Sequence, residues 1–229
     1  PYTCSVETLK RTAALAQELD CGVMIHTSET SKELVDIKRQ TGVSPVALLD
    51  QTGILKAKFA LLAHCVWLED SDFRILARPN ISCVLNTKCN AKLASGFPPV
   101  TKMKASKVRW VLGTDGPASN NSLDLFSEMD FITRTNRLVT GSLTDLTPQD
   151  VLEAVTIRSA EAIGMNDQIG SLTPGKRADF ILIDGSGYHM QPIRDLSASL
   201  VFSGRAADVT HVFVDGKCLM DDRKIKRAQ

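Results

Sequence analysis

Two histidines and an aspartate stand at matching places in this chain. His26 and His64 close the short apolar runs Gly22 to Ile25 and Phe59 to Ala63, and Asp115 follows the run Val108 to Leu112. If these runs are strands of a parallel sheet, their C-terminal ends lie along one edge, where α/β proteins build their sites. Imidazoles and a carboxylate suit a borderline divalent ion, Zn²⁺ or Fe²⁺. Glu29 lies three residues beyond His26 and leaves the same strand end. A carboxylate beside a metal-polarised water can take its proton and later deliver it to a leaving group. Taken alone, Glu29 also reads as a helix-start carboxylate favoured by the helix dipole.

The segment Gly113-Thr114-Asp115-Gly116-Pro117-Ala118-Ser119-Asn120-Asn121 is the most specific in the chain. Gly116 and Pro117 turn the backbone sharply after the strand, which leaves Asp115 facing the pocket with Ser119, Asn120 and Asn121 as polar neighbours. Asn86, Asn90 and Lys92 follow another apolar run, Ile81 to Leu85. They either line the pocket mouth or cap the next helix. His189 and His211 fall in surface or β segments, with no metal role expected. Trp67 and Trp110 are expected in the core.

The elements that must position these residues are legible as a pattern. Val6, Leu9, Ala13, Ala16 and Leu19 recur at helical spacing over Ser5 to Asp20. Further helices are predicted at about Lys32 to Gln40, Pro45 to Gln51, Glu69 to Ala77, Leu123 to Leu138 and Pro148 to Ile163. Continuous apolar runs alternating with helices indicate a parallel sheet covered on both faces. A complete barrel of eight strand–helix units takes about 250 residues, so the four runs before residue 165 amount to about half of one. After Gly164 the texture changes to a turn-rich segment and strands at Ala178 to Ile183 and His211 to Val214, with Asp215-Gly216 as a hairpin signal. The expected fold is α/β: part of a barrel over 1–165 and a small β-sandwich-like module over 166–229.

Lys and Arg number 27 and Asp and Glu 26, a net charge of +1. That balance argues against a nucleic-acid surface, and the basic cluster Arg223-Lys224-Ile225-Lys226-Arg227 reads as a solvated tail. No apolar run approaches the ~18 residues of a membrane helix. The chain begins Pro1-Tyr2-Thr3 without an initiator methionine, so its start carries no information about a leader. None of the six cysteines forms a C-x-x-C pair, which speaks against a thiolate zinc site and for reduced core thiols in a cytoplasmic protein.

Together these residues resemble the amidohydrolase superfamily, and within it the branch of 5-methylthioadenosine/S-adenosylhomocysteine deaminases and triazine hydrolases. The carrying stretches are His26-Thr27-Ser28-Glu29, Leu62 to Leu68, Asn86 to Gly96, Leu112 to Asn121, Leu123 to Met129 and Gly170 to Asp179. The resemblance implies the C-terminal half of a (β/α)8 TIM-type barrel and a cytoplasmic homo-oligomer. It also implies one divalent metal, Zn²⁺ with Fe²⁺ as the alternative, and water with a small heterocyclic substrate. His26, His64 and Asp115 would serve as metal ligands, His64 alternatively bonding the attacking water or the substrate. Asp115 would accept that water's proton, Glu29 would protonate the ring nitrogen, and Asn86 and Asn120 would contact substrate. The expected reaction is hydrolytic deamination of an amino-substituted heterocycle. The alternatives are a chlorohydrolase or amide hydrolase of the same superfamily, or an inactive fragment. Two departures stand out. Thr87 and Cys89 replace the Pro and Ser of the usual Asn-Pro-x-Ser-Asn, and the His-x-His pair of the superfamily's first strand is absent, the four histidines being 26, 64, 189 and 211.

Overall fold

The structure, a computed structural model, describes residues 1–226. It forms two compact units, the first spanning Pro1–Leu123 and the second starting at Asp124. The first unit holds four parallel strands in the order β1-β2-β3-β4: β1 (Val23–Thr27), β2 (Ala60–His64), β3 (Ile81–Leu85) and β4 (Trp110–Leu112). Between and around them run α1 (Val6–Glu18), α2 (Ser31–Thr41), α3 (Pro45–Gln51), α4 (Asp72–Leu76), α5 (Thr87–Lys92), α6 (Val100–Ala105) and α7 (Pro117–Asn120).

Local chemistry fixes where these helices begin and end. Ser5, Thr30 and Ser44 occupy N-caps, each side chain accepting from a backbone N–H of the first turn. Pro45 and Pro117 sit in first turns, where a missing N–H costs nothing. Gly42 ends α2 in the left-handed conformation at φ 78°. Of the apolar residues that predict α1, Leu9, Ala13 and Ala16 are buried, whereas Val6 and Leu19 are exposed.

The core lies on β2, β3 and β4. Every residue of β2 and β4 is buried, as the continuous apolar runs require. β1 is an edge strand and alternates instead, with Met24 and His26 exposed. Trp110 is 2% exposed, as expected of a core residue; Trp67 is 40% exposed and donates through Nε1 to the Ser95 carbonyl at 2.7 Å, so it is not one. Cys65, Cys83 and Cys89 are buried thiols, but Cys4 and Cys21 are exposed. All six are free.

The second unit contains α8 (Leu125–Thr140), α9 (Pro148–Ala154), α10 (Ile157–Ala162) and α11 (Leu196–Phe202). With them stands an antiparallel sheet of β5 (Phe180–Ile183), β6 (Val209–Val214), β7 (Lys217–Asp221) and β8 (Lys224–Ile225). Asp215 and Gly216 both have positive φ, 49° and 74°, and close the β6–β7 hairpin as the pair signals. The helix expected over Pro148 to Ile163 is two helices broken at Val155 and Thr156. Thr156 turns its hydroxyl back onto the Leu152 carbonyl at 2.8 Å, a bond that competes with the helix ladder. Helices α8 to α10, expected with the barrel portion, group with the antiparallel sheet in the second unit. In the C-terminal basic cluster Lys226 pairs with Asp221 at 3.0 Å, and Arg227 lies outside the described residues. Among the described residues no helix is long and apolar enough to cross a membrane.

Leu62, at the centre of β2 and fully buried, should be costly to truncate. Leu62→Ala is expected to lower unfolding stability by about 2–5 kcal/mol, read from urea denaturation; a loss below about 1 kcal/mol would contradict this placement of the core.

Candidate active site

The C-terminal ends of β1 to β4 bring their residues together through backbone that leaves the β conformation. Ser28, His64, Cys65 and Asp115 all have positive φ, 54°, 77°, 49° and 60°. None is glycine, and such positions are strained, typically clustering where function demands a particular aim. In the β1–β2 register His26 faces Ala63, and His64 comes one residue later, opposite Thr27. Strict alternation would send the two imidazoles to opposite faces. The left-handed turn at His64 brings them to one side, where the rings stack at 5.3 Å between centroids and 22° between planes.

The strand ends are also tied to one another. The Cys65 amide donates to the Thr27 carbonyl at 3.0 Å, and those of Val66 and Trp67 to the Ser28 carbonyl at 2.9 Å each. From below, the buried Glu33 carboxylate accepts the Ser28 amide at 3.0 Å and the Glu29 amide at 2.7 Å. Glu33 therefore fixes the turn that carries Glu29. Its position four residues on, at the start of α2, is the signal by which the sequence could have given it that role.

His64 is 1% exposed. Its Nδ1 lies 2.8 Å from Asn90 Oδ1. An amide oxygen only accepts, so Nδ1 is the donor in this bond and Nε2 is the ring nitrogen it leaves over. That Nε2 is buried with no hydrogen-bond partner, and Glu29 Oε2 lies 3.9 Å from it. Asn90 thus neither lines a pocket mouth nor caps α5; it orients the imidazole. Asn86 occupies the N-cap position of α5 without a side-chain cap bond, and Gly113 admits its Oδ1 so closely that a Cβ there would come within 2.6 Å. Lys92 reaches the Ala118 carbonyl at 3.0 Å and Asn121 Oδ1. Asn120 is buried and its amide donates to the Thr114 carbonyl, closing the turn after β4.

Asp115 accepts from the Cys89 thiol at 2.8 Å and from the Gly116 amide at 2.7 Å. Burial raises its pKa, but the bonds from Cys89, Gly116 and Ser119 and the charge on His64 pull the other way and hold it below the usual carboxylate range. Burial and the neighbouring carboxylate push the Cys89 thiol up to about 12. The ligand atoms of His64, Cys89 and Asp115 all lie within 4.8 Å of one another. These residues fit a divalent cation: an unpartnered buried imidazole nitrogen beside an ionised carboxylate is a cost that a bound cation removes. His26 lies on the same side, next to the His64 ring. His189 and His211, by contrast, pair with Asp208 at 2.9 Å and Asp221 at 3.1 Å in the second unit.

Residues 1–219 match the amidohydrolase family, and the chain belongs to it. Among curated relatives, the 5-methylthioadenosine/S-adenosylhomocysteine deaminase of Desulforudis audaxviator is 42% identical over 225 residues, 98% of this chain and 52% of that protein. The 5'-deoxyadenosine deaminase of Methanothermobacter thermautotrophicus is 39% identical over 226 residues, 99% of this chain and 52% of that one. A solved adenosine deaminase from Xanthomonas campestris with bound zinc superposes with a TM-score of 0.94 at 33% identity, over 100% of this chain and 52% of that one. The chain spans about half the length of the curated relatives it matches.

Because Asn90 holds His64 in a buried setting, Asn90→Ala leaves Nδ1–H unpaired. The expected loss is about 1–3 kcal/mol of stability in denaturant unfolding; a change within about 0.5 kcal/mol would mean the bond does not orient the ring.

Proposed function

We propose that this chain forms the C-terminal half of a (β/α)8 hydrolase barrel whose site deaminates an adenine-type nucleoside by water attack. The observation that carries the reading is the approach of Glu29 to 3.9 Å from the unpartnered Nε2 of a buried His64, with the ionised Asp115 at the same sheet edge. The names of the two curated relatives and the zinc-bound structure described above, each a deaminase of an adenine-bearing compound, support the substrate class.

His26, His64 and Asp115 would hold the ion, and Zn²⁺ is favoured over Fe²⁺ by the zinc-bound deaminase of the same fold. A bound divalent ion supplies the charge that makes water a sufficient nucleophile near neutral pH. The chain's own groups then move the protons. Asp115 accepts one from the attacking water. As the new C–O bond forms at the amino-bearing carbon, Glu29 delivers a proton to the adjacent ring nitrogen, which takes up the electron pair displaced from the C=N bond. The proton held by Asp115 then passes to the amino group, the added hydroxyl gives its proton back to Glu29 as its oxygen forms the C=O bond, the C–N bond breaks, and ammonia leaves with the oxo-heterocycle as the other product. Asn86 and Asn120, polar and buried at the same strand ends, are the proposed substrate contacts.

Ammonia release from adenosine-type nucleosides by the zinc-loaded protein tests this. Glu29→Gln is expected to lower kcat about 10²–10⁴-fold with little change in KM. Absence of ammonia from aminopurine nucleosides, aminopterins and aminotriazines alike would overturn the deaminase reading, and chloride release from a chlorotriazine would favour the chlorohydrolase instead.

A further inference from the structure

The third turn of the site, after β3, carries a group that the proposed chemistry leaves unused. Cys89 is fully buried in α5, one residue before the asparagine that orients His64, and its Sγ stands 2.8 Å from Asp115 Oδ2. Its sulfur, the His64 ring and the Asp115 carboxylate fall within 4.8 Å of one another, and His64 Nε2 is left without a partner beside them. We propose that Cys89 is itself a ligand of the divalent ion, giving this site a sulfur donor beside imidazole and carboxylate. This rests on the metal-site reading above.

The distances allow it. A metal–oxygen bond of about 2.1 Å and a metal–sulfur bond of about 2.3 Å at a tetrahedral angle separate the two ligand atoms by about 3.6 Å. Sγ and Oδ2 therefore move apart by less than about 1 Å to admit the ion. On binding, the Sγ–H bond breaks, the proton leaves to solvent and a sulfur lone pair bonds the cation. The hydrogen bond that Asp115 loses is replaced by its own bond to the same ion. A thiol used only for packing has no need of a metal-binding carboxylate at hydrogen-bond distance, so the two roles separate by experiment.

Cobalt(II) is the probe, added to the full chain with bound metal counted by elemental analysis. The expected result is a near-ultraviolet sulfur-to-cobalt charge-transfer band that Cys89→Ser lacks while it still binds cobalt. Cobalt bound without that band, or a band that survives Cys89→Ser, overturns sulfur ligation and leaves the hydrolase reading standing. No cobalt bound overturns this proposal and removes the metal reading of these residues with it. Should Cys89→Ser fail to fold, zinc-edge X-ray absorption on the unmodified chain decides the matter. One sulfur at about 2.3 Å supports ligation, and only nitrogen and oxygen near about 2.0–2.1 Å refutes it.

Discussion

In a parallel sheet, residues in register share a face and successive residues alternate between faces. His26 and His64 are out of step by one residue in that register, so regular strands would hold them apart. The left-handed backbone at His64, φ 77°, removes the conflict by re-aiming one ring as its strand ends. A non-glycine residue in this region costs of order 1 kcal/mol or more. The surroundings hold it there: amides of Cys65, Val66 and Trp67 bond back to the end of β1, and Asn90 grips the ring from α5. Every other feature of the site depends on that turn, because it sets where Nε2 points and hence what Glu29 and Asp115 can face.

The remaining polar groups at this edge answer a second constraint, that buried donors and acceptors must be matched. Glu33 is 3% exposed and spends both carboxylate oxygens on amides of the turn that carries Glu29. Asn120 secures the turn after β4, and Gly113 lacks the Cβ that would collide with Asn86. Beside these paired groups, Ser28 Oγ, Asn90 Nδ2 and His64 Nε2 are buried without a hydrogen-bond partner, and Nε2 is the one with the Glu29 carboxylate 3.9 Å away.

Much of the first unit was legible in the sequence, for physical reasons. β2 and β3 are buried almost throughout, so they read as uninterrupted apolar runs, and all four expected strands form within two residues of their predicted ends. The residues at those ends could be named because a parallel sheet sends all its C-termini to one edge. Less legible were the short helices α5, α6 and α7, with six, six and four residues, too short to display a period. The break at Val155 and Thr156 hid because neither residue is a Gly or Pro and the apolar residues on either side continue at helical spacing. Cys89 and Asn90 were hardest. Cysteine reads as a small hydrophobe and asparagine as a cap, and only the fold reveals that one touches Asp115 and the other holds His64. Trp67, expected inside, instead lies at the surface, its indole N–H on the Ser95 carbonyl.

The proposal on which the rest turns is that His26, His64 and Asp115, at the strand ends of the first unit, hold one divalent ion. Anomalous diffraction at the zinc edge, from crystals of the zinc-loaded chain, tests it most directly. The account predicts one anomalous peak at this edge, about 2.0–2.2 Å from a His64 nitrogen and an Asp115 oxygen, with the His26 ring turned toward it. No peak there, or zinc found only on the exposed Cys4 and Cys21 or on His189 and His211, would contradict it.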